Sequence, residues 1–128
     1  MIKISLLLIS IFSLLYGLVF SFAPYFFAEL TQAETTNIAW LRNIGAAICG
    51  VLFVGLLLVY KSPSKNYDLF MIITITSILQ TLGLIFSRFY NEFSAQNTFV
   101  IDFTIYSAVF VSLYLIYILL NYSNIFKK

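Results

Sequence analysis

Four runs of apolar residues, at about 4–23, 40–60, 69–87 and 99–120, are separated by short polar connectors, and this spacing limits the fold more than any other feature. A helix rising 1.5 Å per residue needs about 20 residues to cross a ~30 Å hydrocarbon core. Lipid offers no partner to backbone N–H and C=O groups, so each run must satisfy its own as a helix. Composition agrees with that reading. Apolar residues make up 62% of the chain and charged residues 9%, against roughly 45–50% and 25% in soluble domains. The expectation is an all-α membrane protein, an up-down-up-down bundle of four transmembrane helices that uses residues 1–128 as one domain.

The connectors carry the remaining local signals. Ser21-Phe22-Ala23 has the small-x-small look of a signal cleavage site, but the preceding apolar core exceeds the 7–15 residues of a signal peptide, so the first run is read as a retained span. Pro24 either ends that span or opens a short interfacial helix with Phe26, Phe27 and Leu30 on one side. Thr36 or Asn37 can cap the second span, which places Trp40 at headgroup depth. Residues 61–68, KSPSKNYD, form a tight hairpin between antiparallel helices, and residues 88–98, RFYNEFSAQNT, connect the third span to the fourth.

Helical arithmetic assigns faces. In the first span Ser13, Gly17 and Ser21 recur every four residues with Ser10 on the same side, a small-residue stripe suited to close helix contact. At 100° per residue, Gly45, Ala46, Cys49 and Gly50 of the second span fall within about 80° of Arg42 and make a similar small face. The third span carries Thr74, Ser77 and Thr81 on the face of Arg88. Gln80 stands on the shoulder of that face in mid-span, where its amide needs another helix, a ligand or water. In the fourth span the stripe Thr104, Ala108 and Ser112 lies nearly opposite Asp102, Tyr106, Val109, Leu113 and Tyr117, and periodicity leaves open which faces inward.

Charge placement sets orientation and a candidate site. Lys3, Lys61, Lys65, Lys127 and Lys128 fall at one end of the bundle, Arg42 and Arg88 at the other, so the positive-inside rule puts both termini in the cytoplasm. Glu29, Glu34, Glu92 and Asp102 share the outer rim with the arginines. Asp102 in the first turn of its helix also suits the helix dipole. Arg42, Arg88 and Asp102 lie at similar depth, and the expectation is that they meet there with surplus positive charge, beside Gln80 and Trp40, as a binding or structural cluster. Snorkelling of each arginine to the headgroups is the simpler alternative.

Several chemistries are excluded. The chain has no histidine and a single cysteine, so it lacks a thiol pair, a triad base and a soft-metal set, and no cofactor or metal is expected. A net charge of +2 without a basic run gives no grip on nucleic acid. No span carries a central acid or a broken helix of the kind that proton-coupled carriers use. The segments LRNIGAAICG opening the second span and LGLIFSRF closing the third, with Gly17 and Pro24 near the end of the first and an acid entering the fourth, resemble the DoxX-like superfamily of small four-helix membrane proteins, in its branch of unknown function. That resemblance implies an up-and-down bundle whose recurrent charges match Arg42, Arg88 and Asp102, although many relatives have Glu at the last position, and it implies no activity. The expected protein is a non-enzymatic, multi-pass integral membrane protein of a bacterial inner membrane. It would act as an accessory subunit with a membrane-protein partner or second copy, or hold a lipid-like or anionic molecule in an outward polar cleft. The alternative is a small oligomeric transporter or channel with a water path past Gln80 and the third-span hydroxyls.

Overall fold

Each apolar run becomes one long helix in the computed structural model, which describes residues 2–33, 37–121 and 126. Glu34, Thr36, Tyr122, Lys127 and Lys128 lie outside the described residues. The first span is α1 (Ile2–Phe22), and Pro24 at the first position of a new helix starts the short α2 (Pro24–Thr31). The second span runs over Ile38–Lys61 as α3 (Ile38–Ala47), a π-helical segment (Ile48–Val54) and α4 (Gly55–Lys61). A 3-10 turn at Pro63–Lys65 leads to α5 (Tyr67–Phe89), and α6 (Thr98–Asn121) completes the bundle. Asn37 is the cap of α3, its side chain accepting the Trp40 backbone N–H at 3.0 Å.

The spans are inside-out by the standard of a soluble protein. Only 22–28% of each apolar window is buried, while Phe12, Leu79 and Phe110 are 64%, 64% and 69% exposed. Apolar surface this continuous is stable against acyl chains and not against water. Four helices of this length and apolarity make the chain a multi-pass integral membrane protein, and the start of α1 and the end of α6 lie at one end of the bundle, its terminal end.

Two helix pairs make the bundle, each by a different device. In the first, α1 packs along α3, the π segment and α4. A Cβ on Gly45 would fall 2.6 Å from the Ser21 nitrogen and 2.7 Å from the Gly17 carbonyl oxygen, so the backbones approach at a distance that only glycine allows. Gly17 in turn receives the Cys49 sulfur. In the second pair, α5 on α6, the buried Ser112 hydroxyl is shared by Ser77 and Thr81 at 2.8 Å each, and Thr74 donates to the Phe70 carbonyl in its own helix.

The pairs join at the terminal end, where α4 meets α5 and Leu6, Leu56, Val59, Phe70, Ile73, Leu115 and Ile118 form the core. Phe126 closes it from below, stacked on Phe70 with ring centroids 5.0 Å apart. At the distal end α2 bridges α3 and α6. It is tied there by Asn97, whose side chain donates to the Leu30 carbonyl at 2.9 Å and whose backbone N–H donates to that of Thr31 at 3.0 Å.

The π segment is a feature that uniform helical arithmetic did not anticipate. Each π turn takes up more residues than an α turn and re-phases the faces on either side of it. Ser10 of α1 donates its hydroxyl to the Phe53 carbonyl at 2.9 Å, supplying from a neighbouring helix a donor to the disturbed ladder. The small face of the second span is also narrower than expected. Gly45 and Cys49 pack on α1, but Ala46 and Gly50 are exposed, and a Cβ on Gly50 would meet nothing within 4 Å. The inward face of α6, which periodicity left open, is settled too. It runs through Ile101, Ile105, Ser112, Leu115 and Ile118, on the side of the Thr104, Ala108 and Ser112 stripe, while Tyr106, Leu113 and Tyr117 of the opposite face are exposed.

Candidate functional site: an arginine-capped groove and an ion-paired cleft

The expected cluster of three charges divides into two places. Arg88 and Asp102 meet, with Nε donating to Oδ1 at 2.7 Å and Nη2 to Oδ2 at 3.2 Å. Arg42 does not join them. The reason lies in helix pairing: α3 packs on α1 and α2, whereas Arg88 and Asp102 belong to the α5–α6 contact. Arg42 is exposed and has no hydrogen bond or ion pair to any described residue. Neither Glu29 nor Glu92 forms an ion pair with an arginine among the described residues.

The Arg88–Asp102 pair is a side-on, two-bond contact that pins the distal end of α5 to α6. Because α6 begins at Thr98, Asp102 lies beyond its first turn and not within it as expected, which leaves the ion pair as its role. Both side chains remain about one-third exposed, at 37% and 35%. Beside them Ile85, Ile105 and Tyr106 enclose a cleft of about 130 Å³. That is below the ~300–1,000 Å³ of ordinary ligand sites and too small for a lipid. With its carboxylate committed to Arg88, Asp102 offers this cleft little free charge.

The larger space lies on the other helix pair. A groove of about 580 Å³ is walled by Leu14, Leu18 and Phe22 of α1 and by Phe53 and Val54 of the π segment. Ser21, Ala46, Cys49 and Gly50 line its floor, and Arg42 stands over it. Its shape follows from the packing already described. Small residues at Gly17 and Gly45 bring the two helices together, and beside that seam the small side chains of Ala46 and Gly50 leave a channel unfilled. Arg42 lies near the start of α3, one turn from the cap, so its guanidinium is at the distal rim while the groove descends toward mid-span.

Sequence reasoning put Arg42, Gly45, Ala46, Cys49 and Gly50 on one face of the second span and Ser21 on the stripe of the first. The structure brings Arg42, Ala46, Cys49 and Gly50 together with Ser21 in one lining, while Gly45 is buried in the helix seam instead. It missed the apolar walls, because Leu14, Leu18 and Phe22 come from α1, and the choice of helix partner cannot be counted along the chain. Ser13 is spent on its own helix, donating to the Ile9 carbonyl at 2.8 Å. Trp40 is 64% exposed and lines neither space. Gln80 is half-buried, bonds no described residue and also lines neither. The polar link between α5 and α6 expected of Gln80 is made by Ser77, Thr81 and Ser112, so the third-span hydroxyls are consumed in packing and line no water path here. Comparison of the chain with protein-family models, with curated proteins and with solved structures gives no match.

Proposed function

We propose that the protein is a non-enzymatic membrane protein that holds a lipid-like molecule in the groove between α1 and the π segment, with the molecule's anionic head on Arg42. The observation that carries this reading is an arginine without an acidic partner among the described residues, placed over an apolar groove of about 580 Å³. That volume lies within the ~300–1,000 Å³ of ordinary small-molecule sites, which share its plan of apolar walls and few polar groups. Guanidinium presents its N–H donors as a planar fork that matches a carboxylate or phosphate, and next to hydrocarbon such a bond is little screened. The resemblance to the DoxX-like superfamily is part of the proposal and adds no activity to it. In the same reading both termini are cytoplasmic, the membrane is a bacterial inner membrane, and the groove opens at the outer leaflet.

Native mass spectrometry of the protein purified in a neutral detergent tests this. The expected result is a co-purifying acidic amphiphile that is depleted in Arg42→Gln but kept in Arg88→Gln, because the second arginine belongs to the other cleft. Equal retention by both variants would remove the basis for the proposal.

A further inference from the structure

We infer that the groove takes one straight alkyl chain beneath its anionic head, and that the π segment, through the open space at Gly50, sets how long that chain can be. The inference rests on the amphiphile reading above and adds the ligand's shape and the residue that selects it. Three observations carry it. The first is volume: about 580 Å³ lies within the ~300–1,000 Å³ of small-molecule sites, the scale of one chain with a small head.

The second is length. From Arg42 to Val54 the groove follows one helix for about 18 Å at ~1.5 Å per residue, slightly more than half of a ~30 Å hydrocarbon core. A chain anchored at the rim therefore ends near the bilayer midplane. The third is the character of the lower wall. Gly50 lines the groove, is exposed, and has nothing within 4 Å of the position a Cβ would take. A side chain added there meets no atom of the helix contact, in contrast to Gly45, where the same addition strikes backbone. Gly50 is thus a specificity-determining position whose substitution separates binding from folding.

Two sources could supply this chemistry, a free single-chain amphiphile or one chain of a bilayer phospholipid, and the probes distinguish them. The full-length protein in maltoside micelles is titrated with a homologous series of straight-chain fatty acids, with the matching methyl esters, and with a diacyl phosphatidylglycerol. Wild type is expected to prefer one chain length, to bind its methyl ester about tenfold more weakly, and to bind the diacyl lipid no better than the free acid. Gly50→Leu is expected to keep the thermal stability of the ligand-free protein and to move the preferred chain shorter by at most about 6 Å, the α-helical upper bound for the four residues from Gly50 to Val54.

Val54→Trp is the second variant, filling the foot of the groove from a residue that is 46% exposed, and is expected to shorten the preferred chain by less. An unchanged length preference in both variants overturns the chain-length inference while leaving the amphiphile reading standing. Tighter binding of the diacyl lipid overturns the single-chain form. Binding of every probe equally by wild type and Arg42→Gln removes the amphiphile reading itself.

Discussion

Gly45 and Gly50 belong to the same span, and the space around them predicts opposite responses to one substitution. Gly45→Ala forces a methyl group to within 2.6–2.7 Å of two backbone atoms of α1, which can move only with their helix. Overpacking of this kind costs about 1–3 kcal/mol. Gly50→Ala enters open space and is expected to change stability by no more than about 0.5 kcal/mol, as exposed substitutions usually do. Thermal unfolding of the two variants in detergent checks the pair, and equal losses would show that the seam between α1 and α3 is placed wrongly. Ser112→Ala makes a milder case. It removes the hydroxyl that bonds both Ser77 and Thr81, yet each of these can turn to a carbonyl of its own helix, as Thr74 does to Phe70. The expected loss is about 0.6 kcal/mol, the average for interhelical hydrogen bonds in a membrane, with ~1.7 as its upper bound.

Span boundaries were legible in the residues because bilayer thickness and backbone satisfaction leave little choice, and each helix ends within three residues of its expected limit. The stripe of α1 and the opposing Gly45 and Cys49 were legible for the same kind of reason, since small residues at helical spacing have one common use in lipid. What was not legible depends on a break in periodicity. Nothing in ICGVLFV announces a π segment, and the face drawn around Arg42 was broad, with Gly45 and Gly50 about 140° apart at 100° per residue, so that only its Gly45 side meets α1. Arg42 was expected beside Asp102 because depth can be counted along a chain, whereas the choice of helix partner cannot. The distal connectors show the same limit. Residues 88–98 read as a polar loop, but the bonds from Asn97 to the Leu30 and Thr31 carbonyls cross 66–67 positions of sequence and hold α2 against the start of α6. Asn97→Ala keeps the backbone bond and loses the side-chain one, so a cost of about 1 kcal/mol is expected. Faster amide exchange confined to residues 29–33, with α1 unchanged, is the readout. Unchanged exchange there would mean that the tether carries no weight.

Bundle orientation decides which leaflet the groove meets, and the described lysines argue for one answer. Lys3, Lys61 and Lys65 are exposed at the terminal end, while Arg42 and Arg88 sit at the distal end with Glu29 and Glu92. Short connectors with excess Lys and Arg stay in the cytoplasm, and acids count for little in that bias. Among the described residues the count is three lysines at the terminal end against two arginines at the distal end. The expected topology has both termini cytoplasmic and the mouth of the groove at the outer leaflet. Ser64→Cys and Asn91→Cys place thiols in the exposed connectors at the two ends, and the native Cys49, seated against Gly17 in mid-span, gives the unreactive baseline. A membrane-impermeant maleimide added to intact cells should label Asn91→Cys and spare Ser64→Cys until the cells are opened. The reverse pattern would turn the molecule over. Arg42 would then face the cytoplasmic leaflet, whose anionic lipids create a negative surface potential, and an abundant phospholipid head would compete with any single-chain ligand for the same guanidinium. Labelling of both positions from one side would instead break the four-span count, because a connector at each end of an antiparallel bundle cannot share a compartment.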